Sequence, residues 1–138
     1  GEALAFLAHL LRSASGAPSA VQIHGIELDQ ERATAARARL TSTLQADALT
    51  ARVPPGRVSL LFHNPPYDQT ADADARLEHT FLKRYTPPLR PGGVLAMEHD
   101  DAHGDAVPAL LVSDGRWTSI AARSDLSHRP RYVLAPAR

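Results

Sequence analysis

At 138 residues the chain matches a single compact domain, at roughly 100–200 residues per domain, which leaves no length within it for a separate specificity domain. Its 43% hydrophobic and 22% charged residues are those of a folded globular protein and exclude a disordered one. Lys plus Arg and Asp plus Glu balance at 15 each, so no net field draws the chain to nucleic acid or to an acidic membrane, and any polyanion site must be a local patch. The absence of cysteine removes disulfides, thiolate nucleophiles and Cys-ligated metal centres together.

The first eleven positions carry Glu2 and His9 and no basic leader, so they break well before the ~18 apolar residues of a membrane span. The expectation is a cytoplasmic protein without a membrane partner. Leu4, Leu7, Leu10 and Leu11 recur at helical spacing and predict a helix over 2–12, closed by the breaker-rich stretch 13–18. Residues 21–27 alternate like a strand, Asp29 stands at an N-cap position, and an Ala- and Arg-rich helix is expected over 31–40. A short apolar stretch near 42–46 stops at Asp47, and Val53-Pro54-Pro55-Gly56 makes a rigid loop before the continuous apolar run 58–62, read as a strand buried on both faces. After a non-periodic polar loop over 68–74, a helix over 76–85 turns Leu77, Phe81 and Leu82 inward. The proline- and glycine-rich 87–93 ends it, and a buried strand follows over 94–97. A helix over 102–112 and strands over 117–123 and 132–135 complete one domain spanning 1–138.

Strands alternating with helices imply an α/β fold, a mostly parallel sheet with helices on both faces, whose ligands bind at the carboxyl ends of the strands. Glu27, Asp47 and Asn64 end three successive strands in this reading.

Asn64-Pro65-Pro66-Tyr67 is the most specific feature. Each proline pushes the residue before it out of the helical region, so the Asn64 side chain and the Pro65 carbonyl are held as two convergent acceptors. Two acceptors suit one amino group. A planar conjugated amine is a poor nucleophile, and accepting from both of its N–H groups favours the electron-rich form that attacks. Tyr67 is placed to stack on the attached ring, and Asp68 either orients the substrate or solvates a loop.

That tetrapeptide, with Gly-Ile-Glu-Leu-Asp at 25–29 and Ala-Asp-Ala at 46–48, resembles the S-adenosylmethionine-dependent amino-methyltransferases of the class I, Rossmann-like fold. The resemblance implies that Glu27, followed by Leu28, binds the cofactor ribose, that Asp47 and Ala48 contact its adenine, and that Asn64 also borders the cofactor. The segment Leu89-Arg90-Pro91-Gly92-Gly93-Val94-Leu95 resembles the turn before that fold's fifth strand. From the family's glycine-rich loop only Gly1 has a counterpart, so the resemblance implies a chain lacking the first strand. Upstream residues, a strand from another chain, or crippled cofactor binding are the three ways to meet that gap. The substrate implied is the exocyclic amine of adenine, in DNA sooner than RNA, with a separate recognition subunit or domain as partner. Relatives with the same tetrapeptide act on RNA bases or on protein glutamine, and a catalytically inactive binding or assembly module is the rival of another class.

Other polar groups read more blandly. Asp29 is a helix cap. His99-Asp100-Asp101-Ala102-His103 has metal-type donors without a third histidine or a glutamate to complete a site, so capping and solvent exposure are expected. His63, Glu78 and His79 are expected to be structural. Arg84, Arg90, Arg129 and Arg131 are expected to form a solvated surface.

Overall fold

The computed structural model describes residues 22–46, 52, 55–64, 82–83 and 89–138. The chain divides into two compact units, the first reaching Arg52 and the second starting at Val53. The helix expected over 2–12, the loop over 68–74 and most of the helix over 76–85 lie outside the described residues; Leu82 and Lys83 are helical.

In the first unit, β1 (His24–Glu27), α1 (Gln30–Arg37) and β2 (Ser42–Gln45) follow in order. The strands pair in parallel, His24 opposite Ser42 and Glu27 opposite Gln45. Asp29 caps α1 as expected, its Oδ1 accepting from the Arg32 N–H at 2.8 Å. The helix is shorter than the expected 31–40. The Arg39 and Leu40 amides turn back to the Ala36 carbonyl, because Thr41 is already committed to the strand. Its N–H donates to the Ile23 carbonyl at 2.8 Å, and its hydroxyl accepts from the Ile23 N–H at 2.9 Å. Among the described residues of this unit Ile23, Ala33 and Leu40 are the buried apolar side chains.

The second unit is built on a four-stranded sheet ordered β3-β4-β6-β5, formed by β3 (Val58–His63), β4 (Leu89–Glu98), β5 (Ala121–Ser124) and β6 (Pro130–Pro136). β3 and β4 are parallel, as the strand–helix rhythm requires. The β5–β6 ladder is antiparallel because the 125–129 loop is too short for a crossover and makes a hairpin, and β6 also runs antiparallel to β4. The sheet is therefore mixed, with its parallel part at the β3 side.

The proline–glycine stretch expected to be a turn before a strand belongs to the strand itself. β4 begins at Leu89, and residues 90–93 bulge opposite Ser59 alone, since Val58 faces Leu89 and Leu60 faces Val94. Gly92 supplies the left-handed backbone there (φ +74°). Beyond the bulge Leu95, Met97 and His99 alternate into the interior, with Val133 and Ala135 buried on β6. The helix expected from 102 starts later. Asp101–His103 is a 3-10 turn, and α2 (Ala106–Asp114) follows it and buries Val107 and Leu111. Gly115 ends α2 in the left-handed conformation with its N–H donating to the Leu111 carbonyl. The strand expected over 117–123 contracts to β5, with Trp117 held by a single bridge to Ala137.

Candidate functional site

The chemistry-bearing residues fall on both units. In the first, Glu27 is the last residue of β1 and Leu28 follows it, 68% exposed although apolar. These are the strand-end positions to which the resemblance assigns cofactor binding. Gly1, Asp47 and Ala48 lie outside the described residues.

In the second unit Asn64 follows β3 directly and is exposed. Pro65, Pro66, Tyr67, Asp68, Glu78, His79 and Arg84 lie outside the described residues. The register fixes what shares the end of the sheet with Asn64. His63 pairs with Met97 in parallel, Glu98 pairs with Tyr132 in antiparallel, and the His99 N–H donates to the Arg131 carbonyl at 2.9 Å. The carboxyl ends of β3 and β4 and the β5–β6 hairpin loop therefore form one rim, carrying Asn64, the 99–103 segment and residues 125–131.

Three features of that rim were not legible in advance. His99 is 1% exposed, which corrects the expectation of a solvent-exposed 99–103 cluster. The alternation that buries Leu95 and Met97 carries on one residue beyond β4, and the ring is satisfied through Nδ1 and the Asp100 carbonyl at 2.7 Å. Asp100 does cap, its Oδ1 accepting from the Ala102 N–H at 2.9 Å. That main-chain bond, then the Asp101 side chain, hold its carboxyl below the ordinary range, with His103 and Arg131 adding to the effect. His63 is pushed down to about 4 by burial, so it is a neutral imidazole beside Asn64 at physiological pH.

Arg131 is not a loose surface cation. β6 has one more residue than β5 between the Arg123–Tyr132 and Ser124–Pro130 pairs, and this extra residue is Arg131, whose Nε and Nη2 reach Asp125 Oδ2 at 3.4 Å. Arg129 also faces that oxygen, at 3.6 Å. Arg90 is exposed, as expected. Among the described residues no three His, Asp or Glu side chains converge as metal ligands, and no helix is long and apolar enough to cross a membrane.

No protein-family model matches the chain. It is similar to the release factor glutamine methyltransferase of Streptomyces coelicolor, 29% identical over 83% of this chain and 50% of that protein. It is also similar to the release factor glutamine methyltransferase of Mycobacterium tuberculosis, 31% identical over 67% of this chain and 38% of that protein. The chain thus spans half or less of the length of these curated relatives. Among solved structures it superposes on an O-methyltransferase from Bacillus cereus in complex with SAH, with a TM-score of 0.61 and 13% identity, over 99% of this chain and 81% of that one. The fold is the Rossmann-like fold of the class I methyltransferases.

Proposed function

We propose that this chain belongs to an S-adenosylmethionine-dependent methyltransferase whose acceptor is the side-chain amide of glutamine in a protein. The observation that carries the reading is the similarity, across most of the chain, to relatives named for glutamine methylation. The tetrapeptide alone favours adenine in DNA; the relatives move the reading to the alternative that the same tetrapeptide serves, because an amide and an adenine amine are both planar conjugated nitrogens with two N–H groups.

Each residue then has a defined task. Asn64, extended from the end of β3, and the Pro65 carbonyl accept the two N–H groups of the acceptor nitrogen, drawing its lone pair out of conjugation as it attacks. Pro66 fixes the backbone that aims them, and Tyr67 covers the planar group. In the same reading Glu27, with Leu28, binds the ribose hydroxyls, and Asp47 and Ala48 contact the adenine. When bound, the cofactor supplies the electrophilic methyl group.

The test uses the full chain, labelled S-adenosylmethionine and two acceptors, a bacterial peptide chain release factor and duplex DNA. Methylglutamine in the protein, found by mass spectrometry, is expected, with transfer reduced about 10²–10³-fold in Asn64→Ala, the loss typical of one transition-state hydrogen-bond partner. Label in adenine would return the reading to DNA, and label in neither would favour a binding module.

A further inference from the structure

Among the described residues the rim of the four-stranded sheet presents an apolar side chain that the fold does not use. Leu126 is fully exposed, at the tip of the loop joining β5 and β6. Single exposed leucines are ordinary on protein surfaces, so exposure alone assigns nothing. What sets Leu126 apart is how firmly it is held out, what surrounds it and where it stands.

The loop is organised around one carboxylate. Asp125 Oδ1 accepts from the Ser127 N–H at 2.8 Å and the Arg129 N–H at 3.1 Å. The Asp125 carbonyl accepts from His128 at 3.0 Å, and the Asp125 N–H donates to the Arg129 carbonyl at 2.9 Å. His128 takes the left-handed conformation (φ +61°) that reverses the chain. Leu126 sits within this set of bonds and takes no side-chain part in it. The loop is therefore fixed before any partner arrives, which lowers the ordering cost of association.

The collar is cationic. Residues 123–131 hold three arginines against the single carboxylate of Asp125, in a chain whose charges balance only when the whole sequence is counted. Arg123 is exposed on the edge strand β5 and Arg129 is mostly exposed. The loop stands on the same rim as Asn64, because β6 begins where β4 ends.

We infer that the 125–129 loop is a docking element for the protein substrate, with Leu126 entering an apolar pocket bordered by carboxylates on that protein while Arg123 and Arg129 face the carboxylates. This rests on the protein-glutamine reading above. An anchoring side chain on a rigid support, ringed by complementary charge, is the arrangement that concentrates binding energy at an interface.

The experiment measures binding of the full chain to a bacterial release factor by interferometry at two salt concentrations, alongside methyl transfer by the unmodified chain. Leu126→Asp is expected to weaken binding at least about tenfold, and Arg123→Glu about fivefold with a shallower salt dependence. Val112→Ser, which removes another exposed apolar group, from α2, leaves binding unchanged and serves as the control. In transfer assays Leu126→Asp raises KM for the whole protein and spares kcat. Methyl transfer by the unmodified chain with undiminished binding by Leu126→Asp overturns the docking role and leaves the glutamine reading standing. Leu126-dependent binding without transfer does the reverse, and no binding by the unmodified chain overturns the docking role.

Discussion

β2 and β4 obey the same local rules and end in opposite circumstances. β2 has one ladder partner among the described residues and is exposed at three of its four positions. β4 is paired on both sides and hides Leu95 and Met97 completely. Among the described residues the first unit shows a two-stranded ladder with one short helix, lighter support than the four-stranded sheet of the second. The residues read as cofactor-binding, Glu27 and Leu28, thus extend from the lightly supported unit, while Asn64 extends from the firm one. On the function proposed above, positioning of the acceptor nitrogen would rest on the more rigid element, where misplacement costs most. Hydrogen exchange is expected to be faster in β1 and β2 than in β4 and β6.

The contrast breaks most sharply at Leu95. Leu95→Ala removes a fully buried side chain from the doubly paired strand, and about 2–5 kcal/mol of stability should go with it in urea unfolding. Leu44→Ala, on exposed β2, should change stability by less than about 0.5 kcal/mol. Next in size is His63. Its folded pKa of about 4 lies below the ordinary 6.5, so in this range the unfolded chain binds a proton that the folded chain refuses. Stability is fully present above pH 6.5 and is lost as the pH falls through the folded value, by up to about 3 kcal/mol. His63→Gln should flatten that part of the pH profile, read by unfolding at pH 7, 5.5 and 4.

The firm unit was also the less legible one in detail. Continuous apolar runs at 58–62 and 94–97 predict buried strands; both are strands, but only the second is buried, at Leu95 and Met97, while β3 is half-buried with Ser59 exposed. The bulge at 90–93 was read as a separate turn, because proline and glycine signal chain reversal and carry no information that a neighbouring strand is long enough to pair on either side of it. His99 was read as exposed for a similar reason. Its polar neighbours dominate the local sequence, while its burial follows from the strand phase set by Leu95 and Met97. The lightly supported unit shows the opposite balance: Asp29 is readable as a cap because capping is local, and the strand before it is readable in kind, though it runs only over His24–Glu27 of the expected 21–27. Of the candidate site, strand-end positions were readable at Glu27 and Asn64. The contribution of residues 125–131 was not, because only the antiparallel register brings them beside β4.

Gly93→Ala tests that bulge. A Cβ at Gly93 would stand 2.9 Å from the Arg90 carbonyl and 3.0 Å from the Val58 carbonyl, both main-chain atoms that cannot rotate away. The strand pair would have to separate locally, and a loss of about 1–3 kcal/mol is expected. Gly56→Ala is the informative companion. Nothing stands within 4 Å of its added Cβ, so any loss there reports only the left-handed backbone (φ +66°).

The smallest expected effect lies in the lightly supported unit and measures how far local terms carry it. Asp29 Oδ1 satisfies the Arg32 N–H, one of the helix's orphan donors, and its charge sits at the positive end of the helix dipole. Replacing it with alanine removes both contributions, about 1 kcal/mol together. Asp29→Asn keeps the hydrogen bond and discards the charge, so it should recover most of the loss if capping dominates. If α1 were held chiefly by the burial of Ala33, both variants would unfold with the parent's midpoint. A midpoint that falls for Asp29→Ala and returns for Asp29→Asn would mean that this unit, unlike the sheet around β4, is held together in good part by the short-range bonds that its sequence displays.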